Sequence, residues 1–319
     1  MRVPRFLLLL SVAALGTLAS DCAGRRLQSS LGRPPTAEEL ARLWVEPGDL
    51  AERDLFHGVG GPKLAPDPAA TYRYVKKKTG GKSPGYTVAD PQGLQWSVKL
   101  GPEAQAEVAV SRLLWAIGFH QPPVYALQTW TLADGPTPGP QQGPGRFRPS
   151  LHEWNESGSW SWAHNPFVGT RPFRGLIVFM RIVNNWDLLD RNNLVYHVKD
   201  ARSGEPRRLY VVKDLGASFG KTKLFPHQGT KNAVEDFEEQ EFIDRVEGGI
   251  VHFEDKGRRH RFLYENISTA DVRWACALLS RLTDKQWRDA FRAAAYEDAT
   301  AERFIRKLKE KVAHGLTVS

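Results

Sequence analysis

The stretch from Gly175 to Gly220 constrains this chain more than any other. An apolar run, Gly175 to Val183, passes directly into Asn184-Asn185-Trp186-Asp187, and Asn192 follows five residues after the acid. A polar segment then gives way to Tyr210-Val211-Val212-Lys213-Asp214-Leu215-Gly216-Ala217-Ser218-Phe219-Gly220, an apolar strand that ends in Asp-x-Gly. Asp, Asn and Gly are ordinary turn residues, so either piece alone reads as a surface loop. The two in this order, behind a strand lysine, read as one constellation.

The 319 residues are 41% hydrophobic and 25% charged, enough for one large domain or two lobes. Ten Trp side chains should fill the core or line a cleft. The net charge of +8 favours anionic partners in general. No zinc-finger, RRM-like or helix-turn-helix pattern accompanies it, so nucleic acid is not an expected partner. Residues 1–20 read as a secretory signal, with Arg2 and Arg5 ahead of the apolar stretch Phe6 to Ala14 and small residues at Gly16, Ala19 and Ser20. Two readings stay open there: lipidation at Cys22, which would tether the chain to a membrane, or plain cleavage near Ala19 or Ser20. Both imply export, to a periplasmic or extracellular location. Cys276 lies in an apolar helical stretch and reads as a core residue.

Residues 21–50 read as a linker with one short helix, capped by Thr36 with Glu39 three positions on. Gly58-Val59-Gly60-Gly61-Pro62-Lys63 has the composition of a phosphate loop but lacks a clear strand before it and a helix after it, so it reads as an irregular loop. From Tyr72 to Leu100 the alternation predicts a three-stranded meander, with a Lys- and Gly-rich turn between its first two strands. That turn lies over phosphates or is a solvated hairpin tip. Pro102 opens a helix whose Val110, Leu113, Leu114 and Ile117 recur at helical spacing. Val124 to Leu132 returns to strand, and Pro136 to Pro149 reads as an inserted Pro/Gly/Gln loop. Beyond it the chain reads as mostly helical, with capping boxes at Ser268–Asp271 and Thr283–Gln286 and a last helix from about Thr300 to Ala313. The expected layout is α+β: a small β-rich N-terminal lobe over about residues 70–133 and a larger helical lobe over about 150–319, within a domain spanning 51–319.

An acid with an amide five residues on, then a second acid after a strand, is what metal-assisted phosphoryl transfer needs. Asp187 can orient and deprotonate an attacking hydroxyl, while Asn192 and Asp214 can hold Mg²⁺ or Mn²⁺ against nucleotide phosphates. Lys99 closes the third strand and can contact those phosphates if a carboxylate on the next helix holds it. Glu103 and Glu107 are both on that helix; Glu107 faces the same way as Val110 and Leu114 and is the preferred partner.

Taken in order, Lys99, Glu107, Asp187, Asn192 and Asp214 resemble the protein-kinase-like superfamily. The Asn-rich segment before Asp187 and the Ala217-Ser218-Phe219-Gly220 tail are similar to the atypical branch that includes HipA-type, CotH and secretory-pathway kinases. The resemblance covers roughly residues 70–300. It implies a two-lobed kinase-like fold, ATP with Mg²⁺ or Mn²⁺ as cofactors, and phosphoryl transfer to an acceptor that is either a protein hydroxyl or a small molecule. The resemblance requires Lys99 and Asp214 to lie within about 10 Å, the reach across one nucleotide.

No Gly-x-Gly-x-x-Gly precedes Lys99, no Ala-Pro-Glu follows Asp214, and Asp214 lies 27 positions after Asp187. These departures and the export signal support an alternative, a nucleotide-free kinase-shaped binding module at the cell envelope. Rings of Trp154, Trp160 or Trp162 filling the cleft beside Lys99 would mark that alternative, whereas an open cleft with converging acids would mark catalysis. The nine His residues form no His-x-x-x-His pair, and there is no Gly-x-Ser-x-Gly elbow, so zinc and serine-hydrolase chemistry are not expected.

Overall fold

The structure, a computed structural model, describes residues 26–79, 83–141, 143–199, 204–223, 229–254 and 260–319. The leader, Cys22, the turn at 80–82 and the tip at 200–203 lie outside them. No helix among the described residues is long and apolar enough to cross a membrane.

The chain begins with β1 (Gln28–Ser29) and α1 (Ala37–Leu40), which carries the Thr36–Glu39 capping box in both directions. The meander follows as β2 (Thr71–Lys77), β3 (Gly85–Ala89) and β4 (Gln95–Lys99), and then α2 (Glu103–Ala116). Next are β5 (Tyr125–Leu127), β6 (Trp130–Leu132), β7 (Gly139–Gln141) and β8 (Gly145–Pro149). These strands join in one sheet of order β5-β8-β4-β3-β2-β6-β7. Only two residues separate β5 from β6, yet they occupy the first and sixth places, so the sheet must curl back on itself. Tyr72, Trp96, Tyr125, Trp130 and Phe147 fill the inside of the curl. The reading of 136–149 as an inserted loop is corrected here. Arg146-Phe147-Arg148 alternates with period two, placing Phe147 in the core and pairing β8 between β4 and β5.

The second half comprises β9 (Trp154–Ser159), β10 (His164–Asn165), α3 (Arg171–Ile182), β11 (Asn193–Lys199), β12 (Pro206–Val212) and α4 (Val234–Glu239). The hairpin β13 (Ile243–Glu247) and β14 (Ile250–Phe253) precedes α5 (Thr269–Ser280), α6 (Asp284–Arg292) and α7 (Asp298–Thr317). The Ser268–Asp271 and Thr283–Gln286 capping boxes start α5 and α6. The α+β layout is as expected, a curled sheet followed by a helical part, though a small antiparallel sheet β12-β11-β9 stands inside the latter.

One continuous core joins α2 to α3, α5, α6 and α7. The segment read as a linker belongs to it. Leu43 and Leu50 are buried, Trp44 packs edge-on against Trp274, and its indole donates to the Ile117 carbonyl at 2.8 Å. Gly58 and Gly60 also serve packing. A Cβ on Gly60 would stand 1.9 Å from the Tyr125 hydroxyl oxygen, and one on Gly58 would strike Arg112.

Candidate functional site

Lys99 ends β4, where the Glu103 turn of α2 begins, and the sheet's curl turns its side chain inward. Its Nζ lies 2.7 Å from Glu107, 3.0 Å from Asp214 and 3.1 Å from Glu103. Both helix carboxylates that the sequence offers therefore reach the lysine, one turn apart on the same face of α2. Burial works against the Lys99 charge, but Glu107 and then Asp214 override it and hold its pKa above the ordinary lysine value.

Glu107 is buried to 2% side-chain exposure, and its partners exceed those expected. Lys99 takes one oxygen; Arg146 Nε at 3.0 Å and Arg148 Nη2 at 2.6 Å share the other. Burial would raise its pKa, yet Arg146, Lys99 and Arg148 keep it well below the usual carboxylate range. Burial also pulls Arg146 down to about 10 against the pull of Glu107. Sequence reasoning missed both arginines because they lie in the stretch read as a loop; the Arg-Phe-Arg alternation was the available signal.

The acid loop is tied down from behind by its two asparagines. Asn184, at φ 53, donates through Nδ2 to the Gly220 carbonyl and accepts from Lys311 Nζ of α7 at 2.8 Å. Asn185 Nδ2 donates to Ser218 Oγ at 3.0 Å, and its Oδ1 accepts the Asp187 amide at 3.1 Å. The Trp186 indole donates to the Thr230 carbonyl at 2.8 Å. These bonds stitch the Asp187 loop to the segment after Asp214, which explains an Asn-rich run ahead of the acid. Asn192 Nδ2 donates to the Asp187 carbonyl at 2.8 Å and to its carboxylate at 3.2 Å. Asn192 itself accepts the Lys213 amide at 2.9 Å through its backbone carbonyl, so the two acid loops are adjacent.

A cleft of about 630 Å³ opens here, lined by β4, β8, β9 and the loops that carry Asn192 and Asp214. Asn192 lines it, whereas Asp187, which accepts from Asn192, does not. Of the three tryptophans that could have plugged it, Trp160 and Trp162 are core residues, 5% and 1% exposed, and Trp154 lines the cleft wall with its ring edge-on to Tyr196. Lys76, Lys78, Arg148, Arg191 and Lys213 also line it. Lys213 pairs with Glu156, which also accepts from the Tyr196 hydroxyl, yet burial and then Arg148 push its ammonium down to about 8.

The donor set suits a hard cation. With both Nδ2 hydrogens of Asn192 spent on Asp187, its Oδ1 remains to act as a ligand. Asp214 Oδ1 meets Lys99 and the Gly216 amide, and Oδ2 remains. No group of three His, Cys, Asp or Glu side chains among the described residues is arranged for a metal. A cation there would complete its shell with phosphate oxygens and water, as Mg²⁺ commonly does.

No protein-family model matches the sequence, and no curated protein is similar to it. Among solved structures the chain is similar to the proinflammatory kinase CtkA of Helicobacter pylori, at 10% identity and a TM-score of 0.34, over 78% of this chain and 99% of that one. It is also similar to the Rio2 kinase of Chaetomium thermophilum, in a complex with ADP/Mg²⁺-phosphoaspartate, at 12% identity and a TM-score of 0.31, over 76% of this chain and 69% of that one.

Proposed function

We propose that the chain is an exported enzyme that transfers a phosphoryl group from ATP to a hydroxyl acceptor with the help of Mg²⁺ or Mn²⁺. One observation carries this reading: Lys99 bridges Glu107 of α2 and Asp214 in an open cleft that Asn192 also lines. Lys231 pairs with Glu103, and Arg146 and Arg148 pair with Glu107, so the oxygens left for a divalent cation are Asp214 Oδ2 and Asn192 Oδ1. A bound metal ion would neutralise charge on the β- and γ-phosphate oxygens. Asn192 Oδ1 and Asp214 would hold it. Lys99, already aimed by Glu107, would contact the α/β-phosphates. Asp187, steadied by the Asn185 and Asn192 side chains, would take the proton of the attacking hydroxyl. Calorimetry with Mn²⁺ and ATP tests this on wild type and Asp214→Ala. Saturable binding that disappears in the variant is expected; binding that is absent, or indifferent to the substitution, rejects the reading.

The absence of Asp187 from the cleft lining favours a second reading, a cleft that binds nucleotide or another anion without turning it over. Metal-dependent binding with no phosphoryl transfer to any hydroxyl, and no hydrolysis, would select it.

A further inference from the structure

Lys99 and two arginines meet at one carboxylate: Lys99 holds one oxygen of Glu107, and Arg146 and Arg148 gather around the other. Arg146 is almost wholly buried, with Nε 3.0 Å from Glu107 and Nη1 donating to the Ser97 carbonyl at 2.9 Å. Arg148 reaches the cleft: its Nη2 serves Glu107 and the Lys213 carbonyl, and its Nη1 has no acceptor among the described residues and, unlike Nε, is not sealed from solvent. Lys78, just past the end of β2, lines the same cleft and forms no ion pair with any carboxylate among the described residues. Burial, and then the charges of Arg146 and Lys99, push its ammonium down to about 8. A half-buried cation held beside other cations is unfavourable until an anion joins it.

We propose that Lys78 and Arg148 form an anion subsite in this cleft that takes a phosphate group. Arg148 is only 14% exposed, so the group must enter the cleft to reach it, as part of a small molecule rather than a protein surface. The guanidinium offers its unspent Nη1 hydrogens and the ammonium its three donors, a charge-assisted set suited to a phosphate dianion. The subsite stands on its own observations and does not need a bound metal ion.

The test is calorimetry of the full chain with inorganic phosphate alone, without divalent metal. Wild type and Asp214→Asn are expected to bind phosphate alike, and Lys78→Met roughly tenfold more weakly, as for the loss of one charge-assisted contact. Near pH 8 the wild-type heat should vary with buffer ionisation enthalpy, because Lys78 takes up a proton on binding, and this variation should shrink in Lys78→Met, leaving the share of Lys213, which also lies at about 8 beside Arg148. Lys77→Met, which removes an exposed charge from the same strand outside the cleft, should bind as wild type does. Absence of phosphate binding, or equal weakening by Lys77→Met and Lys78→Met, overturns the subsite. Competition between phosphate and Mn²⁺·ATP would assign the group to the nucleotide, and simultaneous binding would assign it to a phosphorylated acceptor. Failure of Asp214→Ala to affect nucleotide would reject the enzyme reading while leaving this subsite intact.

Discussion

Removing the Glu107 carboxylate leaves Lys99, Arg146 and Arg148 facing one another in a buried space. Breaking a buried ion cluster by deleting one member typically costs about 3–5 kcal/mol. Glu107→Ala should lose about that much in urea unfolding, and a loss under about 1 kcal/mol would show that water reaches the cluster. The folded-state pKa of Glu107 lies below its unfolded value. Its stabilisation is therefore full above the unfolded carboxylate pKa and is lost as pH falls through the folded one. Lys311 behaves likewise for a different reason. It is buried, its ammonium lies 4.2 Å above the Phe237 ring, and burial, then Lys307 and Arg181, hold its pKa well below the lysine value. The unfolded chain binds the proton that the folded one refuses, so stability rises with pH between the folded and unfolded pKa, by about 1.4 kcal/mol per unit at most. Lys311→Met should reduce that slope by up to this amount in unfolding measured from pH 7 to 9. An unchanged slope would mean that Lys311 is charged in the fold.

At the scale of elements, two glycines separate packing from function. Gly216 follows Asp214, and a Cβ there would stand 2.7 Å from Cβ of Glu103 in the first turn of α2. Gly60, in the glycine-rich run before β2, faces Tyr125. Each Gly→Ala change forces overpacking of roughly 1–3 kcal/mol. Gly216→Ala should also weaken Mn²⁺·ATP, because it displaces Glu103 from Lys99 and Asp214. Gly60→Ala should leave nucleotide affinity as it was. Thermal unfolding paired with calorimetry distinguishes them; equal losses of affinity would mean that the Gly58–Lys63 run touches the ligand after all. The capping boxes were legible because their signal is local: Thr283 and Gln286 satisfy each other's backbone amides within one turn, whatever the chain does elsewhere. The strand β8 was not, since Gly and Pro dominate its surroundings and its pairing with β4 is long-range.

The whole molecule depends on residues 26–50 more than their composition suggests. Leu43 and Leu50 enter the main core, Arg281 pairs with Glu46, and the Gln286 amide donates to the Leu50 carbonyl at 2.7 Å. Leu43→Ala should cost about 2–5 kcal/mol, and a chain starting at residue 51 should lose cooperative unfolding. A truncated chain that melts at the wild-type temperature would return the segment to the status of a linker. The order Lys99, Glu107, Asp187, Asn192, Asp214 was readable along the chain because each residue sits at a fixed offset from a helix or strand end, and such offsets are local. That order alone placed two elements around one lysine and two loops around one amide. Tertiary structure decided the rest. It added Glu103 to Lys99, gave Glu107 two arginines from a strand forty residues downstream, bonded Asp187 to Asn192 outside the cleft lining, and left Lys78 in the cleft with no carboxylate partner among the described residues. The reason is physical: the worth of a charge depends on which distant charges the curled sheet brings within a few ångströms and on how much water remains between them, and neither is written in local sequence.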